Sequence, residues 1–421
     1  MSLALNVLLH RSGMLLVCAL AGVVSVAAQP QATPDSTQRQ TFALEGYGVV
    51  NYHAFDWDTD PDRRNVVDLE RLTLYPSYAY SDHLALRAEV EVEHGGTGVT
   101  MEFDRFEEFG EFEVEVEKGG EVLLEQLYLE FQLRPALSLR MGRFKLPVGV
   151  AAVRDEPNEY LTAIRSEAEA SIIPTNWYEN GVQVLGWLAG GWRYQVSLVN
   201  GLDGTGFSSA RWVAGGTQKR FETVNAEDPA LAVRIDRPLG KEGMVGVSGY
   251  AGNTTGNRPK PDLDARAVVF IGDVHAVAVQ GAWRGSALLL YGHLQNADLV
   301  SQANRNLSNN LNVKRTPVGS VALGAAVELG YDVLAHRRRE QPRLWLFGRA
   351  EFYDTMYRTT GEVFDNPRWQ RTTWTGGVNL AVRPEVVLKA QAAHRRLGSR
   401  DPETNRQQVE NTLSMGFGFV F

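Results

Sequence analysis

Between positions 83 and 94 the side chains divide by parity. Leu84, Leu86, Ala88, Val90 and Val92 face one way, while Arg87, Glu89, Glu91 and Glu93 face the other. Period-two alternation marks a strand with one apolar face, because successive side chains of an extended chain point to opposite sides of the sheet. The last residues repeat the pattern: Leu413, Met415, Phe417, Phe419 and Phe421 share one face, and the opposite face is mostly small. In water that aromatic comb would need another protein layer over it. In a barrel that spans a bilayer, lipid is the covering layer.

Comparable segments recur at 41–55, 66–80, 83–94, 121–134, 137–146, 179–189, 192–201 and 229–237. They continue at 244–252, 265–282, 286–296, 317–333, 342–355, 369–382, 385–397 and 409–421. The count is about sixteen, an even number within the range of bacterial barrels. Short links at 81–82, 135–136, 190–191, 239–243, 283–285, 336–341 and 383–384 alternate with long ones at 56–65, 95–120, 147–178, 202–228, 253–264, 297–316, 356–368 and 398–408. Short turns at one rim and long loops at the other predict an all-β fold, a transmembrane antiparallel β-barrel over residues 41–421 with periplasmic turns and external loops. The sheet is expected to close because hydrocarbon cannot hydrogen-bond a free strand edge.

If the apolar set faces outward, the inward set is polar in nearly every strand: Arg87, Glu89, Glu91; Gln126, Tyr128, Glu130; Arg193, Gln195, Ser197; Arg234, Asp236; Arg349, Glu351; Lys389, Gln391, Arg395. A packed interior would not hold so many ionised groups, since an unpaired buried charge costs several kcal/mol. The expectation is a water-filled lumen, too wide for side chains to fill.

The ends and the composition narrow this further. His10 and Arg11, the apolar run 14–26 and the small residues Val26, Ala27 and Ala28 read as a secretory signal over 1–28, followed by a polar periplasmic lead over 29–40. The run is too short to span a bilayer as a helix, where roughly twenty residues are needed. Cys18 lies inside it, so the mature chain is expected to have no disulfide and no thiolate metal site. The formal charge of −8 becomes about −9 once Arg11 is removed, which argues against nucleic acid as a partner.

The third long link, 147–178, is long enough to be functional, and its middle, 158–170, has helix-compatible composition. Folded inward, it would bring Arg154, Asp155, Glu156, Arg165, Glu167 and Glu169 to a constriction. The alternative is a solvated external loop.

Gly142, Arg143, Phe144, Lys145, Leu146, Pro147, Val148 and Gly149 form a run that resembles the phosphate-selective porin O/P family. Gly181, Val182 and Gln183 with 194–201, and Gly272 and Asp273 with Trp283, Arg284 and Gly285, are similar to it in the same order. The resemblance implies a sixteen-stranded trimeric porin with its third external loop folded into each pore. The expected pore-lining residues are Lys145, Arg154, Asp155, Glu156, Arg165, Glu167, Arg87, Glu89, Arg193, Arg349 and Lys389. Phosphate selection in that family rests on basic side chains. Here Arg154 and Arg165 are set against Asp155, Glu156, Glu159, Glu167 and Glu169, and a mixed wall discriminates mainly by size. The terminal Phe417, Phe419 and Phe421 resemble the assembly signal of outer-membrane proteins, which implies the barrel assembly machinery as a partner beside outer-membrane lipid and lipopolysaccharide.

Other signals have a plain and a functional reading. Residues 102–117 hold eight carboxylates and could form an external hairpin that binds divalent cations, or a solvated acidic loop. Residues 336–339 could clamp an anionic partner or form a solvated turn. A barrel hydrolase would need a Ser, a His and a carboxylate converging at one place; no histidine falls in a recognised nucleophile motif, and HExxH does not occur. A secreted all-β binding protein is opposed by the phenylalanine comb and the alternating link lengths. The expectation is therefore a passive channel with no enzymatic activity, metal or cofactor.

Overall fold

The computed structural model describes residues 41–96, 99–104, 113–118, 120–174, 176–218, 223–240, 242–307, 316–336 and 342–421. The signal and lead, residues 105–112 of the acidic stretch and most of the 336–339 turn lie outside the described residues. Strands β1 (Phe42–Trp57), β2 (Val66–Ser81), β3 (Leu84–Glu93), β6 (Glu121–Arg134), β7 (Leu137–Lys145) and β8 (Tyr178–Leu188) form the first part of one sheet. It continues through β9 (Trp192–Asn200), β10 (Pro229–Leu239), β11 (Gly243–Asn253), β12 (Val268–Gln280) and β13 (Trp283–Leu294). Strands β14 (Val321–Asp332), β15 (Arg343–Arg358), β16 (Gln370–Arg383), β17 (Val386–Arg400) and β18 (Gln407–Val420) complete it. The sheet is a closed antiparallel barrel of 16 strands. A separate hairpin, β4 (Val99–Asp104) with β5 (Glu113–Lys118), projects from the link between β3 and β6, within the segment read above as one long acidic link.

Closure is made by β1 against β18, with Val49 opposite Gly418 and Trp57 opposite Glu410. Gly46 and Phe421 exchange both backbone hydrogen bonds at 2.9 and 2.8 Å, so no edge is left where the first and last strands meet. The terminal comb faces outward: Leu413, Met415, Phe417 and Phe421 are exposed, and Phe419 stacks on Phe421.

The outer surface is apolar along its mid-height, with Val245, Val247, Leu289, Val327, Leu346 and Leu388 all exposed. Aromatic residues flank this belt. Tyr78, Trp192 and the Trp283–Tyr331 pair lie toward the short turns, while Phe270, Tyr291 and Trp374 lie toward the long links. An apolar band between aromatic girdles is what an outer-membrane barrel presents to lipid and to its two interfaces.

The interior departs from the expected lumen, polar in nearly every strand. On β9 to β14 the inward residues include Val199, Ala230, Ala232, Ile271, Leu288, Leu290 and Ala322, all buried. Together with Leu294 at the end of β13, they pack against Leu202, Phe207, Trp212, Val213, Val300 and Val318 from the long links, several around the second helix α2 (Ala297–Arg305), in one continuous dry cluster. One sector of the barrel is therefore a protein core. The inner face of β1–β3 and β15–β18 is mainly polar, and β8–β12 and β14 add buried polar groups, Gln183, Arg234, Asp273 and Glu328 among them, beside the core.

Candidate functional site

The third long link starts at the glycine, aromatic, lysine, proline run, and each member of that run has a local task. Gly142 has φ +132°, and a Cβ there would strike the Leu127 carbonyl. Phe144, Leu146 and Val148 are buried in the dry cluster, which draws the chain inward as β7 ends. Gly149, at φ +85°, turns the chain; any side chain there would collide with the Glu169 carboxylate.

From that turn the link runs down through the barrel interior to the short-turn rim and back. Near its tip, Arg154 Nη1 donates to the Glu242 carbonyl at 2.8 Å and Asn158 Nδ2 to the Pro384 carbonyl at 3.2 Å. Arg284 donates to the Asn158 carbonyl at 3.0 Å. The expected helix across 158–170 is shorter and displaced: α1 (Glu167–Ile172) is capped by the Ser166 hydroxyl, and the residues before it are irregular because their backbone groups bond to the wall. Lys389 Nζ donates to the carbonyls of Tyr160 and Thr162 at 2.9 and 2.8 Å, Asn379 to that of Leu161 at 3.0 Å, and Ala163 N–H donates to Gln391 at 2.7 Å.

Two side-chain clusters fix the link. In the first, Asp155 receives Lys145 Nζ at 2.6 Å and the Tyr47 hydroxyl at 3.1 Å, and it pairs with Arg165, which also donates to Asn176 at 3.2 Å. Burial alone would raise the Asp155 carboxyl, but Arg165, Lys145 and Arg71 outweigh it and hold the group well below the usual carboxylate range. In the second, Arg234 Nη1 donates to the Gly149 carbonyl while Gly149 N–H donates to Ser248 at 3.0 Å and Asp273 at 3.2 Å. His275 is held between Asp273 at 2.6 Å and Asp236 at 2.8 Å. Ser248 bonds Asp273, and both ring nitrogens of His275 are engaged with carboxylates, so the group braces the link and does not form a serine–histidine nucleophile pair.

The sequence-derived residues fall into three groups. Lys145, Asp155 and Arg165 share the first cluster. Arg349 reaches Thr162 at 2.8 Å and Glu351 at 2.8 Å, Lys389 holds the link backbone, and Glu167 pairs with Arg395. Arg154 and Glu156 lie near the tip, where the Glu156 N–H bonds the Glu159 carboxylate at 3.2 Å. On the wall, Glu89 takes bonds from Tyr178 at 2.8 Å and from Gln126, whereas Arg87 (3.5 Å from Glu130) and Arg193 (over Trp187) sit toward the short-turn rim, away from the link. Many of these charges are neutralised by partners and by the link backbone, not by water as expected; Glu89, Glu91, Arg234, Arg349 and Lys389 are all buried. Tyr47, Arg71, Asn176, Arg284 and Glu328 belong to the site and were not singled out from the sequence as site residues.

A recess of about 80 Å³ lies between the link and β12–β15, bordered by Arg154, Arg165, Arg284, Arg349, Glu159, Glu169 and Glu328. Burial pushes the Glu169 carboxyl up to about 7; the Ala151 N–H, Arg234 and Arg165 oppose this and Asp273 adds to it. An unfolded glutamate titrates near 4.3, so the buried neutral form favours the inward link fully below about pH 4.3, and that stabilisation is lost as pH rises toward about 7. The expected loss is on the order of 3 kcal/mol. Protease accessibility of the link should be lower at pH 5 than at pH 8, and Glu169→Gln should largely flatten the difference; an equal difference in that variant would place the titrating group elsewhere.

No family model matches the chain. A protein of Aquifex aeolicus (strain VF5), described as uncharacterized, is 26% identical over 371 residues, covering 86% of this chain and 77% of the relative. Among solved structures, the outer membrane channel DcaP of Acinetobacter baumannii superposes with a TM-score of 0.53 at 12% identity, covering 90% of this chain and 97% of that one. The anion-selective porin from Comamonas acidovorans gives 0.51 at 10% identity, over 90% and 99%. Salmonella typhi OmpF in complex with daunomycin gives 0.50 at 11% identity, over 90% and 97%. This is the fold of the outer-membrane porins. These likenesses carry the porin architecture alone, and the phosphate-selective O/P family remains a resemblance of the quoted motif residues. Within the porin fold those motif residues have a physical meaning here: Gly149, Asp273 and Arg284 all touch the inward link or form part of it.

Proposed function

We propose that this chain resides in the bacterial outer membrane as a passive diffusion channel for small hydrophilic solutes, assembled as a homotrimer, with no covalent step. The observation that carries the reading is the third long link, bonded across the barrel interior from Lys145 to the short-turn rim and narrowing it to recesses lined by ionised side chains. Four arginines and three glutamates border the recess between the link and β12–β15, and with Glu169 neutral below about pH 7 the balance is four against two. Such a wall permits anions, inorganic phosphate among them, with size as the main filter.

Reconstitution into planar bilayers tests this directly. The folded chain should give discrete conductance steps. In a potassium chloride gradient, the reversal potential should move toward anions as pH falls from 8 to 5. Folded protein that carries no current across many insertions would end the channel reading.

A further inference from the structure

The outer half of the mainly polar sector holds two aromatic rings that a simple pore does not need. Phe55 and Trp57 lie two residues apart on the inward face of β1, edge to face, with centroids 5.3 Å apart. The guanidinium of Arg63 lies over both, 4.4 Å from the Phe55 centroid and 4.2 Å from that of Trp57. A cation over two ring faces is held by their quadrupoles. Arg63 belongs to the exposed link after β1, and its ion pair to Asp60 is long, at 3.5 Å, and open to solvent, a weak tether.

The rings border a recess of about 160 Å³ that Glu167, Glu410, Arg395 and Thr373 also line. Arg349 also lines the recess, with its charge matched by Glu351 at 2.8 Å, whereas Arg395, which itself lies 5.3 Å over the Trp57 ring, pairs with both Glu167 and Glu410, so at that end two carboxylates share one guanidinium. The Trp57 indole N–H donates to Thr412 at 3.0 Å, which fixes the ring. The Thr373 hydroxyl is buried there, 3% exposed, with no hydrogen-bond partner among the described residues.

We propose that this recess is a binding site for a small solute bearing a guanidinium or ammonium group, and that Arg63 is its internal competitor. An incoming cation takes the ring faces and displaces Arg63 into the mouth of the barrel. An anion would meet the surplus carboxylate, and a neutral sugar would gain stacking alone. The site gives the outer vestibule a preference that the inner recess, with its surplus of arginines, does not share.

The test is calorimetric titration of the detergent-folded full chain with L-arginine, with glucose and glutamate as controls. Arginine should bind saturably and more tightly than either control. Arg63→Ala should tighten it by about three- to tenfold, while Phe55→Leu and Trp57→Leu should each weaken it by about fivefold. Arginine binding no better than glucose or glutamate, or unchanged in Arg63→Ala, overturns the site. Arg63 is exposed, so its variant remains informative even if a ring variant fails to fold. Because the readout needs no current, binding without conductance would sink the channel and spare the site, and conductance without binding would do the reverse.

Discussion

Asp155→Ala should raise the single-channel conductance by at least about twofold. The substitution leaves Lys145 and Arg165 facing each other in a buried cluster with no carboxylate between them, and removing one partner of a buried ion pair costs about 3–5 kcal/mol. Around the tip the remaining anchors are hydrogen bonds to backbone carbonyls, each worth about 0.5–1.5 kcal/mol, or up to about 3 where the donor is charged, while the Gly149 cluster, the Glu167–Arg395 pair and the buried apolar residues hold the ends of the link. The strain therefore falls on the link, while the barrel wall, paired along all its edges, keeps its shape. Single-channel recording gives the conductance, and limited proteolysis at 150–175 reports whether the link has left the lumen. A conductance equal to that of the parent, with the link still protected, would show that the second cluster at Gly149 suffices to hold it.

Leu289→Arg should cost about 2–4 kcal/mol of folding stability in a phospholipid bilayer, because Leu289 is exposed near the middle of the outward apolar belt. The same exchange at Gln195, on the inner face of β9, should cost under about 1 kcal/mol, since that side chain does not meet lipid. Urea titration of folding into vesicles compares the two. Equal costs would mean that the apolar belt faces something other than hydrocarbon.

The barrel was legible in the sequence because two different environments on its faces force a parity on every strand. The β3 segment reads directly from Leu84 to Glu93, and the alternation of link lengths fixes how neighbouring strands connect. The dry sector was harder to see. In β13, Leu288, Leu289 and Leu290 are consecutive, so parity cannot say which face is covered by protein and which by lipid; only the packing of the long links against Leu288 and Leu290 resolves it. The inward placement of the third link could not be chosen from its composition, because its anchors are remote in sequence. Tyr47 meets Asp155 across 108 positions and Lys389 meets Thr162 across 227, and no local pattern encodes such a meeting. Arg87 and Arg193 lie near the short-turn rim, away from the link, because parity reports a face and not a height in the barrel.

The tip of the link is tied to the rim through the carbonyls of Glu242 and Pro384, which every amino acid supplies. Those two turns can therefore exchange side chains freely and keep their grip, but they cannot change length. One inserted residue in either would carry its carbonyl out of register with the tip, whereas the same insertion in the turn between β2 and β3 would touch no such anchor. Indel tolerance, rather than substitution tolerance, should distinguish the turns of this rim.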